Sequence, residues 1–172
     1  MSARLRRSLA RLATLLAFVA LAGCYPDLDW KELRPPEAGF RVLMPARTEA
    51  SSGTGPDGVA QSRWGAQTRL GLFGVAWADY PDAAAAHLGP VQDSLVRNAG
   101  GPAEAEQSRS EAGVESRRFT VRARAGDGSG RELHVRLIAR GRRLYQLAVV
   151  GQPGALSEAD LDTFFLSFQT FD

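Results

Sequence analysis

The sequence predicts an α+β fold, in which an antiparallel β-sheet of about seven strands carries two packed helices in the order β(3)-α-β(4)-α. Three observations lead to this prediction. From Gly39 onward, short runs with alternating apolar residues are separated by glycine-rich breaks, which is typical of antiparallel strands. One alanine-rich segment with helical periodicity interrupts these runs, and a second helical segment closes the chain.

Three strands are predicted before the first helix. Phe40, Val42 and Met44 alternate with other residues up to Pro45, where the first strand is expected to end. The runs 59–66 and 70–79 follow, and the second is apolar on both faces, as expected of a central strand. The segment SSGTGPDG, residues 51–58, is predicted to be a loop.

The first helix is predicted within residues 82–99. Asp82 is placed to cap its N-terminus, and Gly89-Pro90 is expected to kink it. Its apolar stripe consists of Leu88, Val91 and Leu95. The glycines before Pro102 are expected to end it.

Four strands are predicted between the helices. A less regular strand lies within 104–110, and the runs 118–124 and 131–140 show strict alternation of apolar and polar residues. The sequence GDGSG between the last two runs is typical of a hairpin turn. The fourth run, 143–150, follows a tight turn at Gly141.

The C-terminal helix has a clear start and a clear buried face. Ser157 to Asp160 resembles a capping box, with aspartate in place of the usual glutamate. The apolar stripe that follows consists of Leu161, Phe164, Phe165 and Phe168. This stripe is expected to pack on the sheet.

Three short motifs within residues 39–171 resemble those of the PsbP-like family. They are F-x-V-x-M-P in the first strand, RLYQL before the last helix and FFLSF near the C-terminus. The family includes an extrinsic subunit of photosystem II, a nuclear-transport factor that binds the GTPase Ran and several bacterial lipoproteins. The resemblance implies a curved antiparallel sheet with helices packed on it, and it implies no particular chemistry.

The N-terminus has the parts of a bacterial export leader. The segment MSARLRRSLAR is positively charged, and the uncharged run 12–22 is 11 residues long. That run is too short to cross a bilayer, which takes about 20 apolar residues. Leu21-Ala22-Gly23-Cys24 resembles the lipobox of bacterial lipoproteins. The resemblance implies cleavage between Gly23 and Cys24 and a diacylglycerol on the Cys24 thiol.

Two other interpretations of this segment stay open. One is an ordinary secretory leader with a chance cysteine, and the other is a cytosolic protein in which Cys24 is buried. Cys24 is the only cysteine in the chain, so a disulfide within one chain is excluded.

The lipobox divides the chain into a signal peptide (1–23), a lipidated N-terminus with a tether (24–38) and a single α+β domain (39–172). Extended, the tether spans at most about 50 Å, and Trp30 and Leu33 are expected to dock on the domain.

The lipobox also predicts the location of the protein, which is the cell envelope, on the periplasmic side. Each buried methylene of an acyl chain contributes about 0.8 kcal/mol, so two or three chains on Cys24 hold a protein on a membrane. The residue after Cys24 is Tyr25. In enteric bacteria an aspartate at this place retains lipoproteins at the inner membrane, so the resemblance favours the outer membrane.

The charge of the chain argues against nucleic-acid binding. Four of the 21 basic residues precede Cys24 and all 19 acidic residues follow it, so a chain cleaved there has 17 basic and 19 acidic residues, a net charge of −2. The basic pI therefore comes from the leader. We expect a monomer that binds no nucleic acid.

No catalytic or cofactor motif is recognisable. The two histidines, His87 and His134, have no motif around them, and both are expected to be exposed or half-exposed rather than catalytic. The glycines of 53–58 match G-x-G-x-x-G, but a proline-containing loop that leads into a strand is the wrong context for a dinucleotide. We expect no cofactor, no zinc site and no enzyme activity.

The sequence does predict a candidate anion-binding face. If the hairpin register holds, five arginines share one face of two strands: Arg118, Arg122, Arg124, Arg136 and Arg140. Such a face suits an anionic partner such as lipid headgroups, a cell-wall polymer or an acidic protein. The alternative is the solvated side of an antiparallel sheet, with Glu115 and Glu132 balancing the charge.

The function expected from these observations is that of a membrane-anchored envelope lipoprotein with a non-catalytic domain that binds or scaffolds a partner. Two alternatives stay open. One is a module for a small molecule or lipid, held in a gap between the helices and the sheet that Phe164, Phe165 and Phe168 leave unfilled. The other is an enzyme with an unrecognised site.

Overall fold

A computed structural model describes residues 27–55, 57–124 and 128–171. The predicted leader and both sides of its cleavage site, Gly23 and Cys24, lie outside the described residues. Within the described ranges the chain has the predicted α+β architecture, with two α-helices on a seven-stranded antiparallel sheet.

Seven strands form the main sheet. They are β3 (Glu49–Thr54), β4 (Ala60–Gln67), β5 (Gly71–Asp79), β6 (Ala103–Glu111), β7 (Val114–Arg124), β8 (Gly130–Arg140) and β9 (Arg143–Gly151). Their order is β3-β4-β5-β9-β8-β7-β6, and each described pairing is antiparallel. The apolar strand β5 is central, as its sequence predicts.

A second sheet of three short strands lies beside the main one. Strand β1 (Lys31–Leu33) and strand β10 (Gln169–Thr170) both pair with β2 (Phe40–Met44). The predicted strand 40–44 is thus confirmed, but it belongs to this smaller sheet. It brings the two termini of the described chain together.

The described part of the predicted tether packs on the domain. Leu28, Trp30 and Leu33 contact the hydrophobic core, and the Trp30 ring lies edge-on to Phe73 at 6.0 Å between centroids. The backbone N–H of Asp29 donates to the Pro45 carbonyl oxygen at 2.7 Å. The folded body therefore begins before residue 39, because apolar side chains and β-pairing hold this segment down.

Two helices cover opposite faces of the main sheet. Helix α1 (Leu88–Ala99), preceded by a 3₁₀ turn (Ala84–His87), packs over β7 and β8, against Phe119 and Val135. Helix α2 (Glu158–Ser167) lies on the other face with β2, where Phe164 and Phe165 are fully buried. Alternate residues of each strand enter the two cores, so the molecule has three layers.

Both α2 predictions are confirmed. The Ser157 hydroxyl oxygen accepts from the Asp160 backbone N–H at 3.1 Å, and the Asp160 carboxylate accepts from the Ser157 N–H, which completes the capping box. All four residues of the predicted stripe are buried.

The prediction of a loop over 51–58 is wrong in its first half, because Ser51 to Thr54 belong to β3. This edge strand is exposed along almost its whole length. It therefore buries no alternating apolar face, which is the signal on which the prediction depends.

The predicted start of the first helix is also wrong. Asp82 caps no helix; its Oδ1 lies 2.7 Å from His87 Nε2, and α1 begins at Leu88. Gly89-Pro90 lies in the first turn of the helix and not in its interior, so the missing N–H of Pro90 leaves no hydrogen bond unmade.

Candidate functional site

The pairing of β7 with β8 places the five arginines of the predicted face on one side of the sheet. In the β7–β8 hairpin Arg118 lies opposite Arg136, Arg122 opposite Glu132, and Arg124 opposite Gly130. Directly opposed residues of an antiparallel pair share a face, so the predicted set of five arginines, which includes Arg140 opposite Val114, lies on one side of the sheet. This is the side that also carries α2.

Helix α2 engages the two central arginines of this face. Arg118 donates from Nη1 to Asp162 Oδ1 at 2.9 Å, and its guanidinium carbon lies 5.0 Å from the centroid of the Phe165 ring. Arg136 donates from Nη1 to the Phe165 carbonyl oxygen at 2.6 Å. Arg118 and Arg136 are thus held side by side beneath one flank of the helix.

The other three arginines lie apart from this pair. Arg122 donates to Glu132 at 2.6 Å and also pairs with Glu104, and Arg140 donates to Thr170 at 3.1 Å. Arg124 is exposed at the end of β7. Four residues of strand separate Arg118 from Arg122, about 13 Å, so the five arginines do not converge on one ligand.

A third arginine, which strand alternation alone does not predict, joins the central pair. In the β6–β7 pairing Gln107 lies opposite Arg118, and Arg109 lies opposite Ser116. A small cavity of about 60 Å³ lies among these side chains. Its lining is Gln107, Arg109, Ser116, Arg118, Arg136 and Leu166. We call Arg109, Arg118 and Arg136 the arginine triad.

A β-bulge decides that Arg109 belongs to this face. The register shifts between Glu104 and Gln107, where one extra residue is inserted into β6, and Ala105 in the bulge has a φ of 52°. Without the bulge, simple alternation from Glu104 would turn Glu106 toward Arg118 and Arg109 to the opposite side. The bulge thus places Gln107 instead of Glu106 opposite Arg118 and turns Arg109 to the same face.

The positive charges of the arginine triad repel one another. Burial, with the neighbouring charges of Arg118 and Arg109, lowers the pKa of Arg136 from its usual range. Asp162 is the one carboxylate that pairs with the triad within the described ranges, and Arg109 forms no hydrogen bond or ion pair with any of those residues.

The two histidines are both engaged by neighbours. His134 lies with Nδ1 3.1 Å from the Thr120 hydroxyl and Nε2 3.4 Å from Glu132, and burial lowers its pKa. His87 lies 2.7 Å from Asp82 and stacks on Tyr80 with 3.9 Å between ring centroids. The Tyr80 hydroxyl donates a hydrogen bond to the Asp57 carboxylate. Burial is the main cause that raises the pKa of Tyr80, and the contact with Asp57 raises it further.

An open groove lies on the other face of the sheet, beside α1. The helix covers β7 and β8 there, whereas β3, β4, β5 and β9 leave a groove of about 720 Å³. Small residues such as Gly74 and Ala148 form its floor, and Leu72 is 47% exposed. The gap that the sequence places beneath α2 is filled instead, because Phe164, Phe165 and Phe168 occupy it.

The described residues form neither a cluster of metal ligands nor a membrane-spanning helix. Among residues 27–55, 57–124 and 128–171, no three His, Cys, Asp or Glu side chains come together in a way that could hold a metal ion. None of the helices that these residues form is long and apolar enough to cross a bilayer.

Comparisons with known proteins identify the fold. No protein-family model and no curated protein matches the chain. Among solved structures, the cyanobacterial PsbP protein CyanoP of Synechocystis is similar, with a TM-score of 0.57, 13% identity, and coverage of 87% of this chain and 97% of that one.

A second similar structure is a protein of Bacteroides thetaiotaomicron, with a TM-score of 0.52 and 12% identity over 83% of this chain. The match covers 48% of that chain, so this protein corresponds to about half of its length. At these identities the comparisons establish a PsbP-like fold and no activity.

Proposed function

We propose that this chain is a lipid-anchored lipoprotein of the bacterial envelope, facing the periplasm from the outer membrane, whose PsbP-like domain binds an envelope partner without catalysing a reaction. The observation that carries the proposal is the place where the folded body begins. Leu28 already packs against the core, four residues after Cys24 of the lipobox. Four residues span at most about 14 Å, so acyl chains on Cys24 hold the domain against the membrane surface.

The character of the domain surface supports a binding role. Its two most distinctive surface features are the arginine triad and the open groove. Both suit the binding of a partner rather than proton transfer. His87 and His134 are each held by a neighbouring carboxylate and a second side chain, an arrangement that orders the imidazoles within the fold.

The anchor is tested by replacing its thiol. In cells that produce the full chain, Cys24→Ser removes the sulfur that would carry the diacylglycerol, so we expect loss of the mature, detergent-extractable membrane form. The product is then an uncleaved precursor or a released domain. Cell fractionation with immunoblotting measures both the location and the size of the product.

The matched control for this test is Ser51→Ala, an exposed change in the edge strand β3, which should leave processing and membrane location unchanged. A Cys24→Ser chain that is still processed to normal size and still sediments with membranes would contradict the proposal.

A second candidate function, binding of a small molecule, is favoured by the open groove. Its volume, about 720 Å³, lies within the range of about 300–1,000 Å³ that is usual for ligand pockets. Ala148→Trp would fill the floor of the groove and abolish such binding, whereas Leu166→Ala, on the opposite face, would not. Thermal-shift screening of the full chain and the two variants separates this function from the first.

A further inference from the structure

We propose that the arginine triad is a binding site for a phosphate group. This deepens the proposed function, because it names the chemical group by which a partner is recognised. The site lies on the flank of the domain, where β6, β7 and β8 meet helix α2, and it includes Arg109, which the strand pattern does not predict.

The geometry supplies converging donors from three strands. Arg118 and Arg136 are directly opposed on β7 and β8, and Arg109 reaches the same cavity from β6. The Gln107 amide and the Ser116 hydroxyl lie in the same lining and add neutral donors. Planar guanidinium groups hydrogen-bond phosphate oxygens in pairs, which makes arginine the favoured residue for this task.

The charge of the site matches a phosphate ester. Three guanidinium groups and the single carboxylate of Asp162 leave two positive charges. A phosphate monoester has a charge of about −1.5 to −2 at neutral pH. Of the glutamates on this face, Glu104 and Glu132 are both paired with Arg122, and Glu111, two residues beyond Arg109, lies outside the lining of the cavity.

The size of the cavity limits the ligand to one small anionic group. It measures about 60 Å³, against about 30 Å³ for a water molecule in the liquid. The rest of the ligand must therefore lie outside, over Leu166, which is 64% exposed at the rim.

Two unfavourable features meet at this site. Like charges directly opposed across strands are destabilising, and here they are Arg118 and Arg136. A non-glycine residue with positive φ, Ala105, forms the bulge that adds Arg109. A bound phosphate would offset the repulsion between Arg118 and Arg136. Phosphate binding would also account for the strained bulge that turns Arg109 toward this pair.

The test is a calorimetric titration of the full mature chain, purified in a maltoside detergent, with inorganic phosphate and with glycerol 3-phosphate. We expect saturable binding at one site, weakened at least tenfold by Arg109→Ala and by Arg136→Lys. The lysine keeps the charge but loses the planar fork. Arg97→Ala, a change of an exposed arginine on helix α1, on the opposite face of the sheet, is the matched control and should change affinity less than twofold.

Each outcome decides the proposal. Tighter binding of glycerol 3-phosphate assigns the site to a phosphate ester such as a lipid headgroup, and tighter binding of inorganic phosphate assigns it to the free anion. No saturable heat up to about tenfold above physiological phosphate, equal binding of acetate, or equal losses of affinity in Arg109→Ala and Arg97→Ala would overturn it. Circular dichroism confirms that Arg109→Ala, an exposed change, is folded.

The titration does not depend on the anchor. A chain that binds phosphate but has a free Cys24 thiol would contradict the proposed membrane attachment alone. A lipidated chain that binds no phosphate would contradict the phosphate site alone.

Discussion

At the scale of single residues, the core on the α2 side depends on a few aromatic side chains that contact one another. Phe164 meets Phe73 edge-on with 5.4 Å between ring centroids and lies 5.2 Å from Phe165. All three are fully buried. Aromatic pairs of this kind stabilise a core beyond the apolar area that they bury.

Phe164→Ala should therefore lower the free energy of unfolding by about 3–5 kcal/mol, because it leaves a cavity in a packed core. The measurement is equilibrium denaturation with urea. Leu166→Ala, two residues away on the exposed side of the same helix, is the control and should change the value by less than about 0.5 kcal/mol. Equal effects of the two changes would mean that α2 does not pack as described.

His134 makes stability depend on pH. Burial holds its pKa below the ordinary 6.5, Glu132 opposes this shift, and Arg118 and Arg122 add to it. The folded state therefore favours neutral imidazole: its stabilising contribution is present above pH 6.5 and is lost as the pH falls through the lower pKa of the folded state.

We expect the urea concentration at the unfolding midpoint to decrease when the pH is lowered from 7.5 to 5.5. The variant His134→Gln should make this decrease smaller. This window lies above the range in which Asp79 and Glu132, whose pKa values are lowered by arginines, take up protons. Ser51→Ala, an exposed change in strand β3 that removes no titratable group, is the control and should keep the slope of the parent protein. If the parent and His134→Gln had the same slope, the pH dependence would come from another group.

Residues differ in how far the sequence reveals their position. The buried stripe from Leu161 to Phe168 is predictable, because the helical spacing of its apolar residues directly indicates which face of the helix is buried. Strict alternation predicts that Arg118 and Arg136 share a face if the hairpin register holds, and the pairing of β7 with β8 places them directly opposite each other. Arg109 is not, because a one-residue bulge reverses the alternation and leaves no mark in the apolar pattern.

At the scale of elements, the bulge in β6 is the feature that shapes the candidate site. Ala105 has a φ of 52° there, in the left-handed region that favours glycine. An alanine in this conformation costs about 1–2 kcal/mol. The strand retains the bulge because the pairings on both sides of it are antiparallel and in register.

Ala105→Gly should raise the free energy of unfolding by about 0.5–1 kcal/mol, because removal of the Cβ strain outweighs the added freedom of the unfolded chain. Ala50→Gly in the exposed strand β3 is the control and should lower the free energy by about 0.5–1 kcal/mol. Chemical denaturation measures both. A loss of stability in Ala105→Gly as large as that in the control would show that Ala105 is not strained.

Elements at the edges of the fold are the ones that sequence patterns miss. Strand β3 is exposed along almost its whole length, and β1 has three residues. Neither is long enough or buried enough to show a period. Both are defined by pairing with a neighbouring strand, which is information from distant parts of the chain.

At the scale of the whole molecule, the N-terminal segment sets the orientation of the domain on the proposed membrane. Asp27 pairs with Arg69 in the turn between β4 and β5. The opposite end of the sheet, where β6 ends at Glu111, lies about a strand length away, roughly 27 Å for a nine-residue strand. The Arg69 end should therefore face the bilayer.

This orientation predicts a difference between two labels. With Cys24 acylated, Gln67→Cys or Glu111→Cys supplies a single free thiol, because the chain has one natural cysteine. Gln67 is exposed at the end of β4 beside Arg69, so the pair of Arg69 with Asp27 is kept. A fluorophore at position 67 should be quenched strongly by a headgroup quencher in proteoliposomes, and one at 111 weakly. Equal quenching would mean that the domain has no fixed orientation.

The central claim is that a folded PsbP-like domain is attached to a membrane through the lipidated thiol of Cys24. The most direct measurement is the intact mass of the native protein extracted from membranes of the producing cells. We expect a chain that begins at Cys24 and carries the added mass of a thioether-linked diacylglycerol. A mass equal to that of the chain with a free thiol, or with residues 1–23 still attached, would contradict the account.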